Sequence, residues 1–194
     1  MNKPVHPSRK EISRDRILDV ASRVIREKGF HGVGIADVMK EAGLTHGGFY
    51  AHFSSRDELL CAAVERANAE SGAALKDHMA RLTHAGLTPF RALVEAYLYE
   101  AVLACRDTSC PVTALSSEGP TQSDEVMQAL REVVVRLHRL VRQVLPEDQS
   151  ADAAWAIISA LVGAVQLARM LGDNPEGRAA LAGAKHELLS RYPF

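Results

Sequence analysis

Cys110-Pro111 is where reactive chemistry is easiest to imagine in this 194-residue chain. A proline at a first helical position leaves the preceding residue at the N-cap, where the positive end of the helix favours a nucleophilic thiolate. Cys105 stands close enough in sequence to be a partner in a thiol switch. The commoner role of such cysteines is to fill a core as small apolar residues, and both readings stand. Glu118 or His138 could serve a cysteine nucleophile as base, but no local signature joins them and no Ser-His-Asp set is legible. Gly32-Val33-Gly34 is followed by Asp37 where a phosphate-binding loop needs its third glycine. His46 and His52 are not separated by the single helical turn that would aim both rings at one metal ion. The expectation is a protein that is not an enzyme and needs no metal or cofactor.

Thr45-His46-Gly47-Gly48-Phe49-Tyr50-Ala51-His52-Phe53 offers recognition chemistry instead. Thr45 can cap a helix whose free amides favour a phosphate oxygen. Gly47 and Gly48 remove bulk, so the helix could lie close against base edges. Tyr50, His52 and Arg56 can donate to phosphates, while Phe49 and Phe53 should turn inward to hold the helix.

The elements that must position these residues follow from caps and periodicity. Ser8-Arg-Lys-Glu11 has capping-box spacing and opens a helix over about 9–28, stopped by Gly29. A short helix carrying Ile35, Val38, Met39 and Ala42 ends at Gly43, and the Thr45 segment forms the next. Ser55-Arg-Asp-Glu58 opens a long helix running through Leu82. Thr88-Pro89 starts one through Leu93, Tyr97, Leu98 and Val102, and Cys110-Pro111 a shorter one. Ser123, Ser150 and Asn174 cap the last three, which run to about 144, over about 151–171 and over about 175–191. The expectation is an all-α fold of about nine helices.

Bulk properties agree with this outline. Apolar residues make up 47% of the chain and aromatics only 5%, so Ala, Leu and Val must build the core, which favours helices. The formal net charge is −1, so any pull on nucleic acid must be local. Such a patch exists at the N-terminus, where Lys3, Arg9, Lys10, Arg14, Arg16, Arg23, Arg26 and Lys28 outnumber Glu11, Asp15, Asp19 and Glu27. Three cysteines without framework spacing fit a reducing cytoplasm. The N-terminus has no apolar signal core, and Ser159, Gly163, Gln166 and Arg169 interrupt the most apolar later stretch, so a cytoplasmic protein without a membrane span is expected.

Two short helices meeting at a glycine turn are the core of a helix-turn-helix. Gly29-Phe30, then Ile35 to Phe53, then Arg56-Asp-Glu-Leu-Leu60 resemble the DNA-binding domain of the TetR family over about residues 9–65. The resemblance implies base contacts from His46, Gly47 and Gly48 and backbone contacts from Thr45, Tyr50, His52 and Arg56. It also implies a DNA-binding domain over 1–55, and an effector-binding and dimerisation domain over 56–194 that pairs through the last two helices. Gly34 departs from the pattern, standing where members often carry a Ser or Thr that touches phosphate.

One reading helix contacts too few bases for useful specificity, so a homodimer on a near-palindromic double-stranded operator is expected. Cys110 to Glu118 resembles a segment of a TetR-type branch in which some members sense electrophiles or oxidants. Candidate effector or sensing residues are therefore Cys110, Cys105, Tyr97, Glu118, Met127 and Trp155, although plain packing is the commoner role for each. The expected function is transcriptional regulation, as a repressor released by a small molecule or by modification of Cys110. A helical ligand-binding or adaptor protein without DNA binding is the competing expectation.

Overall fold

The computed structural model describes residues 8–105 and 109–194, so Lys3 of the basic N-terminus lies outside the described residues. Among the described residues the chain is helical throughout, without a strand. Helix α1 spans Arg9–Lys28, with the Ser8–Glu11 capping box fully formed, and ends at Gly29 with φ +73°. A 3-10 turn, Phe30–Gly32, leads to α2, Ile35–Glu41. A second 3-10 segment, His46–Ala51, precedes α3, Arg56–His84. Then follow α4, Pro89–Tyr97, α5, Pro111–Leu115, α6, Asp124–Val144, α7, Ala151–Leu171, and α8, Pro175–Arg191.

Two elements differ from the periodicity. The Thr45 segment winds as a 3-10 helix, a form common in short connecting pieces. The helix from Pro89 stops at Tyr97 instead of continuing through Val102, and a 3-10 turn, Glu100–Leu103, replaces its last part. No glycine or proline marks that break. The turn beyond it is held from a distance in sequence: the Arg169 guanidinium on α7 donates twice to the Val102 carbonyl, at 3.0 and 3.1 Å.

α3 joins the two ends of the molecule. Its first half buries Leu59, Leu60, Ala63, Val64 and Ala67 against α1 and neighbouring elements. Polar ties reinforce the contact: Arg26, almost fully buried, donates to Glu70 at 2.6 Å, and Arg66 reaches Asp15 at 2.6 Å and Asp19 at 2.5 Å. The second half of α3 packs beside α4 and α6, and one apolar cluster runs from Ile17 to Leu188.

α7 packs against α5, α6 and α8 and leaves one face open. That face carries Trp155, Leu167, Met170 and Leu171, with Met170 85% and Leu167 61% exposed. By length and composition Asp152–Leu171 is apolar enough to cross a membrane, the one such helix among the described residues, yet nearly half of it is buried in the protein.

Candidate nucleic-acid interface

The three-helix unit holds the Thr45 segment by its aromatic side. Phe49 and Phe53 are buried with ring centroids 5.7 Å apart, and Tyr50 meets Phe49 edge-on at 5.3 Å. The Arg14 guanidinium lies 4.4 Å above the Phe53 ring, closing the core on the α1 side. The opposite side faces outward: Thr45, His46 and Gly47 are exposed, and Tyr50 is 70% exposed.

Thr45 takes the N-cap position by backbone alone. Its carbonyl accepts the Gly48 N–H at 3.0 Å, whereas its hydroxyl caps no amide. Gly34 likewise caps α2 by conformation, without a side-chain bond. His46 has no hydrogen-bond or charge partner among the described residues.

Gly47 and Gly48 are not required by the fold. Neither has a positive φ, so no left-handed turn demands glycine. A Cβ at Gly47 would meet nothing within 4 Å, and one at Gly48 only ordinary contacts at 3.7 Å with Met39 and Thr45. A flat, bulk-free surface beside exposed donors permits close approach by a partner outside the chain.

Arg56 is used otherwise than expected. Its Nη2 donates to the Phe30 carbonyl at 2.6 Å and its Nε to that of Val33 at 3.3 Å, supplying donors to the carbonyls of a short turn. His52 is half-buried, with Nδ1 covered and unpaired. The next helix start is locked by Glu58, whose carboxylate takes the Ser54 N–H and hydroxyl, both at 2.7 Å; those bonds pull its pKa below the usual range.

A cavity of about 700 Å³ opens in the other half, between α3, α4, α5 and α6. Tyr97, Cys105 and Cys110 line it. Cys110 is the N-cap of α5, as its spacing to Pro111 predicts. The buried Tyr97 hydroxyl lies 3.1 Å from that of Thr113, and burial, then the neighbouring Cys110, pushes its pKa well above the usual value.

Glu118, Met127 and Trp155, expected with these residues, lie elsewhere. The Glu118 carboxylate accepts the Phe30 N–H at 3.0 Å, Met127 sits beside Gly119, and the half-exposed Trp155 stacks on His138 with centroids 4.3 Å apart. Much of the cavity wall comes instead from α3 residues such as Asn68, Ser71 and Gly72. Their signal was the run of small residues from Ser71 to Ala74, which leaves space where bulky side chains would fill it.

Comparison with known proteins agrees with this anatomy. Residues 17–63 match the family model of bacterial regulatory proteins of the tetR family. An uncharacterized HTH-type transcriptional regulator of Mycobacterium tuberculosis is 28% identical over 173 residues, covering 82% of this chain and 86% of its own. The HTH-type transcriptional regulator LmrA of Bacillus subtilis is 26% identical over 190 residues, covering 92% and 97%. Among solved structures, a TetR transcriptional regulator from Chloroflexus aurantiacus superposes with a TM-score of 0.76 at 23% identity, covering 93% of this chain and 94% of its own. Residues 17–63 thus carry the DNA-binding domain of the tetR family of bacterial regulatory proteins, and the chain around them has the fold of TetR-type regulators.

Proposed function

We propose that the protein is a homodimeric repressor that leaves a near-palindromic operator when a small molecule enters the α3–α6 cavity or when Cys110 on its wall is modified. Residues 1–55 would bind DNA, and residues 56–194 would bind the effector and pair the protomers. The observation that carries the DNA-binding half is the pair of glycines at 47 and 48. The fold gives neither a reason to be glycine, and both stand beside exposed donors. Thr45, Tyr50 and His52 would position the segment on phosphates, Arg56 would brace the turn behind it, and His46 would read a base edge.

Pairing through α7 and α8 draws support from the open face of α7. Trp155, Leu167 and Met170 flank a lane of Ala156, Ser159 and Gly163, and a Cβ at Gly163 would meet nothing within 4 Å. Such a lane admits a second helix at close range, and burying it removes an apolar stripe from water. Release would be a population shift: a ligand or a modified Cys110 favours a spacing of the two reading segments that no longer fits successive major grooves. The regulator works by binding alone, in the cytoplasm.

The test is a gel shift of the full chain on DNA upstream of its own gene at two salt concentrations, followed by footprinting. A repressor gives specific, salt-sensitive binding over a two-fold symmetric footprint. Absence of binding would favour a helical adaptor instead. For the thiol, Cys110→Ser should abolish release by electrophiles; unchanged release would remove Cys110 from the switch.

A further inference from the structure

The charge of the α3–α6 cavity is one-sided. Lys76 and Arg81 of α3 and Arg136 and Arg139 of α6 line it, and none of its lining residues is Asp or Glu. Arg136 is already neutralised, bidentate to Glu65 at 2.6 and 2.8 Å and bonded to Glu132 at 3.2 Å. Lys76, Arg81 and Arg139 are exposed and have no ion pair among the described residues. Like charges around a concavity with low-dielectric walls focus their field into it, attracting anions and repelling cations.

Behind this rim, between polar residues such as Asn68, Ser71, His78 and Gln143, most of the wall is apolar. Leu75, Val133, Leu137, Leu140 and Val165 line it, and the Tyr97 and Thr113 hydroxyls are hydrogen-bonded to each other. A bare inorganic anion would leave that surface wet, and a neutral apolar molecule would leave the cations unused. A volume near 700 Å³ falls in the range that encloses a small organic ligand. From the cations at the rim and the apolar interior, we propose that the cavity selects amphipathic organic anions: an acidic head held by Lys76, Arg81 and Arg139, and a hydrocarbon body against Leu137, Leu140 and Val165. This rests on the reading of the cavity as the effector site and adds the chemical class it accepts.

The experiment is calorimetric titration of DNA-free protein with three probes of one chain length, kept below self-association: decanoate, decan-1-ol and decyltrimethylammonium. Decanoate should saturate one site per chain. Decanol should bind about tenfold more weakly, and the cation more weakly still. In the Arg81→Gln/Arg139→Gln variant, decanoate should fall to the level of decanol while decanol is unchanged; both positions are exposed, so the core is untouched. Equal affinity for the three probes, preference for the cation, no saturable binding of decanoate, or full decanoate affinity in the double variant would each overturn the inference. Release from DNA is scored separately by gel shift. Charge-selective binding without release upholds the inference and removes the release mechanism, whereas release caused only by a cationic or neutral compound overturns the inference alone.

Discussion

The carboxylate of Glu118 accepts the backbone N–H of Phe30 at 3.0 Å, joining the segment after α5 to the turn that follows α1. Phe30 is held from its other side by Arg56, whose guanidinium donates to its carbonyl. α5 begins at Cys110 on the cavity wall, so one short helix separates the cavity from the three-helix unit. α5 also packs directly on α1 and α3, so this bond adds to a packed contact between the cavity side and the three-helix unit.

Glu118→Ala should cost about 1–2 kcal/mol of stability, the worth of one charge-assisted bond. Gly29 is the other half of this contact. It adopts φ +73° and ψ −177°, a region only glycine occupies easily, and a Cβ there would lie 1.9 Å from Glu118 Oε1. Gly29→Ala should therefore destabilise more in the parent than in the Glu118→Ala background. Urea unfolding of the four proteins in this cycle measures the difference; strictly additive costs would show that the two residues do not share a contact.

Gly47→Ala separates fold from recognition. With open space around its Cβ, the variant should match or slightly exceed the parent in thermal stability, by up to about 1 kcal/mol. If the segment reads DNA as proposed, operator affinity should drop at least about tenfold, because the added methyl would stand where the bases approach. Melting curves and gel shifts on the same preparation decide it. His46→Ala should keep binding but change operator preference, read by selection from a randomised operator library.

Leu167→Glu with Met170→Glu tests the pairing face. Both side chains are mostly exposed in the single chain, so the folded protomer should survive, with its helical circular dichroism intact. Charge facing charge across a two-fold axis should shift the protein from dimer to monomer in size-exclusion chromatography with light scattering. Operator binding should weaken with it.

The buried Tyr97 hydroxyl predicts an alkaline limit to stability. Its pKa is raised in the folded chain, so ionisation begins first in the unfolded chain. The contribution of the protonated hydroxyl is full below the ordinary tyrosine pKa, about 10, and is lost as pH rises through the folded value. Chemical denaturation across the alkaline range should show stability falling. Tyr97→Phe should flatten that fall while costing about 1 kcal/mol at neutral pH for the lost Thr113 bond.

Much of the outline was legible because its signals are local. Ser8, Ser55, Thr88, Ser123, Ser150 and Asn174 each place a side-chain oxygen on an amide three residues on, so six helix starts can be read from short windows. The inward packing of Phe49 and Phe53 was legible for the same reason.

What only the tertiary structure decided involves partners far apart in the chain. The turn beyond the break of α4 is held by Arg169, the engagement of Arg56 depends on Phe30 and Val33, and the Glu118 contact on the arrival of α5 beside α1. Thr45 shows the division within one residue: its cap position follows from its neighbours, but that its hydroxyl bonds no amide there is seen only in the structure. Caps and periodicity act over one or two turns of helix, whereas cavities and latches form only where packed helices bring distant residues into hydrogen-bond range.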